Sequence, residues 1–378
     1  MKNIKKYLNL LLYLCLILIG SLIWGQLKNF GTSLARDKNA PLELKEALHW
    51  ISLDKGRIQC QLCPRRCVLS EGEKGFCRAR KNIKGRLYAL TYGQPVALHV
   101  DPIEKKPLAH VYPGTKSFSI ATAGCNLRCK FCQNWEISQL DPETVAKRFV
   151  PPQEIISLVK STGSKTIAFT YTEPTIFYEY MLDIAKLAKE ENISLVMHSA
   201  GYINEEPLRQ IAKYLKAANI DLKGFSDKYY ASFCQGSLNE VLNTLKILRE
   251  EGVWLEITTL LIPGGNDSDE EIRKMCEWIV KNLGKDTPVH FSRFFPMYKL
   301  INLSPTPLST LVKAKKIAEE SGLNFVYIGN VPEHLGEDTN CPHCHKLLIK
   351  RIGYRIIENN IKEGRCLFCK EPIPGIWE

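Results

Sequence analysis

The chain has 378 residues, 45% hydrophobic and 24% charged, with a formal net charge of +11. That balance excludes a disordered or low-complexity protein, and the length allows one large domain with smaller ones beside it. Its Lys and Arg are interleaved with Asp and Glu along the whole sequence, so the excess reads as a basic solvated surface and no nucleic-acid partner is expected.

The amino-terminal "MKNIKK" precedes "YLNLLLYLCLILIGSLIWG", Tyr7 to Gly25, which holds one amide and no charge over 19 residues. This length spans a bilayer as a helix and exceeds the usual apolar core of a cleavable signal. A membrane anchor is therefore expected over residues 1–27, with a cleaved signal as the alternative. Lys2, Lys5 and Lys6 ahead of the stretch nearly balance Lys28, Arg36 and Lys38 after it, so flanking charge leans only slightly towards an external carboxyl end.

Eleven of the 14 cysteines fall into three spaced groups, and such spacing suits convergence on metal better than disulfide pairing in a chain of this size. Cys60, Cys63, Cys67 and Cys77 lie in "CQLCPRRCVLSEGEKGFC", within a cysteine-rich region expected over 28–114. Pro64 and Gly72 mark turns there, as a metal knuckle requires, and zinc or an iron–sulfur cluster would suit four thiolates. The following "DPIEKKPLAHVYPG" is charged and bounded by proline, and it reads as a surface connection.

From Lys116 the strand candidates are "SFSIATA", "KTIAFTY", "ISLVMHS", "AANIDLK", "WLEITTLL", "VHFSRF" and "NFVYIG". Helical stretches separate most of them; in Ser237 to Glu251, Leu238, Val241, Leu242, Leu245 and Leu248 trace one apolar face. This alternation predicts an α/β fold of parallel strands with right-handed crossovers, a partial (β/α)6-type barrel over 115–335 whose site lies at the carboxyl ends of the strands. The first strand runs into "GCNLRCKFCQNW", where Cys125, Cys129 and Cys132 form C-x3-C-x2-C with no fourth cysteine nearby. If each thiolate holds one iron of a [4Fe–4S] cluster, the fourth iron keeps an open position for a small molecule, the mark of a catalytic site.

At the far end, "CPHCHKLLIKR" and "CLFCK" set Cys341, Cys344, Cys366 and Cys369 as C-x2-C-x21-C-x2-C. Paired knuckles of this kind hold one tetrahedral metal, so residues 336–378 are expected to form a zinc-ribbon-like or rubredoxin-like module, with His343 and His345 outside the ligand set.

C-x3-C-x2-C with Asn126 and Phe131 resembles the signature of the radical S-adenosylmethionine enzymes. "CQLCPRRC", "DPIEKKPLAH", "CNLRCKFCQNWEIS", "YTEPTIFYEY", "NIDLKGF", "YIGN" and the closing cysteine pairs, in that order, resemble the AmmeMemoRadiSam-system radical enzymes, relatives of pyruvate formate-lyase activating enzyme. The resemblance covers Gln59 to Glu378 and leaves out the Tyr7–Gly25 stretch. It implies that S-adenosylmethionine chelates the unique iron and is reductively cleaved to a 5′-deoxyadenosyl radical that abstracts hydrogen from a substrate. That substrate could be the glycyl site of a partner protein, with flavodoxin or ferredoxin as reductant.

The resemblance further places Glu173 where activating enzymes have a Gly-Gly-Glu stretch that binds the methionine amine, with Tyr171 and Thr172 replacing the glycines. A helix start at Thr-Glu-Pro is the structural alternative. Lys223 is placed near the cofactor carboxylate and Asp221 near the ribose or a cation; two-residue spacing puts both on one strand face, where an internal ion pair is equally consistent. "HSAGY", Pro263, Gly264, Gly265, His110, His290 and Arg293 are further candidates for ligand contact. A membrane-tethered zinc protein without radical chemistry is the competing function. Because reductant and S-adenosylmethionine are intracellular, the enzyme reading puts the barrel on the cytoplasmic side of its anchor.

Overall fold

The computed structural model describes residues 44–145, 148–331 and 335–378. Its centre is an eight-stranded sheet formed by β1 (Pro95–Pro102), β2 (Lys116–Thr122), β3 (Thr166–Phe169), β4 (Ser194–Ser199), β5 (Leu215–Asp221), β6 (Trp254–Leu261), β7 (Val289–Arg293) and β8 (Val326–Gly329). The strands lie in sequence order from β8 to β1. All neighbours from β2 to β8 are parallel, and β1 pairs antiparallel with β2 as an added edge.

Parallel strands covered on both faces read as near-continuous apolar runs, and all four residues of β3, Thr166–Phe169, are buried. Six helices make the crossovers: α1 (Pro152–Thr162), α2 (Tyr178–Glu190), α3 (Glu205–Ala212), α4 (Leu238–Glu250), α5 (Asp269–Leu283) and α6 (Leu308–Glu320). Gly163 stops α1 in the left-handed conformation at φ 64°. The Ser268 side chain accepts from Glu271 N at the start of α5, where Asp269, Glu270 and Glu271 also favour the positive end of the helix dipole. In α4, Val241, Leu245 and Leu248 are buried as the periodicity predicts, each contributing about 1.5–3 kcal/mol.

The first cysteine-rich region is built of short antiparallel ladders of its own, and one buried ion pair ties it to α2. Arg80 donates twice from Nη2 to the carboxylate of Glu179, at 2.7 Å to each oxygen, and both side chains are shielded from solvent. Glu179, in the first turn of α2, also accepts from Leu48 N at 2.7 Å.

Two expectations are corrected. No helix among the described residues is long and apolar enough to cross a membrane, so the fold class becomes an α/β sheet with a cysteine-rich carboxyl-terminal part, and the single-pass membrane location is withdrawn. The Tyr7–Gly25 stretch on which that expectation rested lies outside the described residues. Nor is "DPIEKKPLAH" a surface connection: Asp101, Lys106 and His110 in it are buried. Their charges are met internally, Asp101 accepting from Lys106 at 2.6 Å, Lys105 at 2.8 Å and Ser119 at 2.7 Å.

Removing one partner of a buried ion pair leaves the other charge stranded. Arg80→Met or Glu179→Leu alone is expected to cost about 3–5 kcal/mol, whereas the double replacement costs less than either single change. Urea denaturation of the three variants measures this, and additive losses would show that the pair is not coupled.

Candidate functional site

A pocket of about 590 Å³ opens at the carboxyl ends of the parallel strands. The loop leaving β2 brings Cys125, Cys129 and Cys132 to its wall, with Glu173 after β3, His198 and Ser199 at the end of β4, Asp221 at the end of β5 and Lys223 just beyond. Three thiols thus face one cavity with ionisable groups around it, and no fourth cysteine lines that cavity among the described residues. Three cysteines leave one corner of a [4Fe–4S] cluster without a protein ligand, so this donor set fits such a cluster with an open iron.

Glu173 is buried and fully engaged. One oxygen accepts from Thr175 N at 3.1 Å, Thr175 Oγ1 at 2.8 Å and Ser199 Oγ at 2.7 Å, and the other accepts from Ala200 N at 2.8 Å. It therefore caps the turn beginning at Pro174 and ties the β3 loop to the β4 loop while still bordering the pocket. Tyr171 holds φ at 64°, a conformation glycine adopts without strain. Asn134 Nδ2 donates to its carbonyl at 2.7 Å, and its hydroxyl donates to Asp101.

Asp221 and Lys223 meet at 2.8 Å, and His198 Nε2 lies 3.0 Å from the other Asp221 oxygen. Burial opposes charge on Asp221, but Lys223 and His198 more than offset it and hold the carboxyl below its usual range. Burial also opposes charge on Lys223, and Asp221 with the Cys129 and Cys234 sulfurs outweighs it, so the ammonium is retained. The strand ends at Asp221, so the two are joined around the strand terminus as well as by the two-residue period.

Strand register explains the pocket floor. Asp221 is paired with Thr258, Thr258 with His290 and His290 with Tyr327, so one transverse row crosses β5, β6, β7 and β8, and all four line the pocket. The buried hydroxyl of Thr258 has no partner among the described residues. One layer below, Asn219 pairs with Glu256. Glu256 is wholly buried and accepts from His290 Nε2 at 2.7 Å, Ala109 N at 2.8 Å and His110 N at 2.8 Å. Burial would raise its pKa, but His290 and the other donors bring it below the usual value.

The remaining candidates separate cleanly. His290 lines the pocket; Arg293 instead donates to Thr306 O at 2.8 Å. His110 has no exposed surface and bridges Pro374 O and Tyr327 Oη, each at 2.7 Å. Burial lowers its pKa to about 4, so the ring is neutral and structural. Gly264 forms a turn at φ 70°, and neither it, Pro263 nor Gly265 lines the pocket.

Several wall residues carried little sequence signal. Lys105, Glu104 and Pro107 border the pocket from the segment after β1. Arg351 and Tyr354 border it from the carboxyl-terminal part, where Arg351 donates to Thr339 Oγ1 at 2.7 Å and Ala109 O at 2.8 Å. The only hint for Glu256 is an acid inside the apolar run "WLEITTLL".

The carboxyl-terminal strands Leu347–Ile352 and Arg355–Asn359 pair antiparallel, and Cys341, Cys344, Cys366 and Cys369 bring their sulfurs within 4.8 Å of one another. Cys341 lies 3.6 Å from Cys369 and Cys344 lies 3.8 Å from Cys366. A tetrahedral ion with metal–sulfur bonds of about 2.3 Å separates its thiolates by about 3.8 Å, so the group fits one ion. His343 and His345 are not among these ligands.

The Radical SAM superfamily matches residues 119–279. The chain is 44% identical over 332 residues to the uncharacterized protein MJ0808 of Methanocaldococcus jannaschii, covering 87% of this chain and 99% of that one. It is 29% identical over 166 residues to the pyruvate formate-lyase-activating enzyme of Clostridium pasteurianum, covering 42% and 67%. A crystal structure of a radical SAM methyltransferase from Sphaerobacter thermophilus superposes with a TM-score of 0.46 at 14% identity, covering 78% and 80%. The chain belongs to the radical SAM superfamily and is a radical SAM enzyme homologous to pyruvate formate-lyase activating enzymes. The family implies a [4Fe–4S] cluster and S-adenosylmethionine.

Because metal binding and folding are linked, Cys366→Ser is expected to lose the carboxyl-terminal ion and on the order of 10 kcal/mol of metal-linked folding energy. Limited proteolysis should then cut within 336–378 while the sheet persists. Retained metal and unchanged protease resistance would contradict the single-ion assignment.

Proposed function

We propose that Cys125, Cys129 and Cys132 hold the [4Fe–4S] cluster and that the chain uses it to cleave S-adenosylmethionine, generating a glycyl radical on a partner protein. The observation that carries this reading is the convergence of three thiols from one loop, without a fourth, on a pocket that also holds Asp221 and Lys223. The bound cluster and S-adenosylmethionine would supply a 5′-deoxyadenosyl radical, using one electron from a donor of the flavodoxin or ferredoxin class.

The protein's part is orientation. Lys223 offers an ammonium to the cofactor carboxylate, since only two of its possible partners, Asp221 and the face of Phe131 at 5.8 Å, are in place. Glu173 and Ala200, joined at 2.8 Å, shape the wall of the pocket between the β3 and β4 loops. Thr258 presents a hydroxyl in need of a partner, and His290 lines the pocket with its Nε2 held by Glu256 at 2.7 Å.

Support for a protein substrate comes from the relatives, which include pyruvate formate-lyase-activating enzymes and a 4-hydroxyphenylacetate decarboxylase activating enzyme from Clostridium scatologenes. Zinc is the ion proposed for the carboxyl-terminal four thiolates, which form a closed site with no position left for a substrate.

Alanine at any one of Cys125, Cys129 or Cys132 should abolish 5′-deoxyadenosine formation in a protein that remains folded. Lys223→Met should raise the S-adenosylmethionine KM about tenfold or more, the loss expected of one charged hydrogen bond. Undiminished 5′-deoxyadenosine from a cysteine variant would sink the cluster assignment; absence of a glycyl-radical electron paramagnetic resonance doublet in every co-expressed candidate partner would sink the partner assignment alone.

A further inference from the structure

Cys60, Cys63, Cys67 and Cys77 remain unused by the reaction above. They line one small cavity together with Arg80 and Asn126, and this cavity shares no lining residue with the large pocket. Their thiols are free of disulfides.

The spacing of these sulfurs discriminates between metals. A single ion requires four thiolates about 3.8 Å from one another, and in the carboxyl-terminal group Cys341–Cys369 at 3.6 Å and Cys344–Cys366 at 3.8 Å stand at that spacing. That group is the one set of three or more ligand atoms lying within 4.8 Å of one another among the described residues. The first four cysteines surround a shared cavity without contracting to that spacing, and the trio Cys125, Cys129 and Cys132 behaves in the same way. Thiolates on separate irons of a cluster stand farther apart than thiolates sharing one ion.

The cavity also carries donors suited to sulfide. Arg80 lines it, and the buried Nε of Arg80 has no hydrogen-bond partner, although its Nη2 is committed to Glu179. Asn126 also lines it, and Phe76 N approaches Cys67 Sγ at 3.5 Å. Such N–H groups stabilise cluster sulfurs and set their potential.

The geometry points to a second [4Fe–4S] cluster in this cavity, ligated by Cys60, Cys63, Cys67 and Cys77. All four corners are taken by protein, so the site is closed to substrate and to S-adenosylmethionine and is left with electron exchange or support of the fold. It abuts the catalytic loop directly. Asn126 follows Cys125 in the chain, Arg128 donates to Cys125 O at 2.7 Å and also to Phe76 O, and a side chain at Gly124 would meet Cys77 O at 2.6 Å.

Iron, zinc and acid-labile sulfide are to be counted on anaerobically reconstituted full-length protein, beside the Cys125→Ala/Cys129→Ala/Cys132→Ala variant. The expected result is about eight sulfides per chain in the parent and about four in the variant, with a reducible cluster signal persisting in the latter. Cys63→Ser/Cys77→Ser should also lose about half of the parent's sulfide. Sulfide-free trio variant, or two zinc ions per chain with about four sulfides in the parent, would overturn the inference. If the trio variant does not fold, the parent decides: eight sulfides sustain the second cluster and four refute it. The catalytic assignment fails separately, through 5′-deoxyadenosine formation that persists in the trio variant, whatever its sulfide content.

Discussion

A carboxylate with no access to water stays charged only if donors surround it, and Glu256 meets that demand with groups from three different parts of the chain. Ala109 N and His110 N come from the segment after β1, His290 from β7, and Trp254 Nε1 from its own strand at 3.2 Å. Each donor is thereby placed with respect to the pocket floor. His110 passes the constraint onward through Tyr327 and Pro374, and Tyr327 passes it to Thr339. One buried charge thus joins the edge segment, the sheet and the carboxyl-terminal strands around the cavity in which His290 stands.

Where the chain follows a simple period, its structure is legible from the residues alone. The run "WLEITTLL" is the strand Trp254–Leu261, and the apolar face of Ser237 to Glu251 becomes the buried face of Leu238–Glu250. Cysteine spacing singles out Cys341, Cys344, Cys366 and Cys369, whose sulfurs lie within 4.8 Å of one another, because short loops limit how far apart two ligands can end. Composition misled at "DPIEKKPLAH": charge usually means solvent, but Lys106 and Asp101 satisfy each other inside the fold. The role of Arg351 was equally hidden, since a metal-knuckle pattern explains what holds such a module together and says nothing about the surface it leans on.

The thiol groups differ by what they leave over. Four sulfurs within 4.8 Å of one another would exhaust an ion bound between them and make a staple, whereas three sulfurs on the rim of a large pocket leave room for chemistry. The charged groups follow the same division. Arg80 and Glu179 cancel each other away from the pocket, while Asp221 and Lys223 cancel at its wall, ready to exchange part of that contact for a polar ligand.

Arg351, in a strand that follows β8, and Tyr354, in the turn after that strand, line the pocket, and Ile376 pairs with Val111 in the segment after β1. During synthesis every strand of the sheet leaves the ribosome before this wall exists. The pocket wall that carries Cys125, Cys129 and Cys132 therefore passes through a roofless stage, which would last until the later knuckles, if they fold on a metal ion, had captured one. Metal supply to a distant set of thiols would then set how long that stage lasts, making the timing of maturation, as much as the finished architecture, a guard against stray radical chemistry.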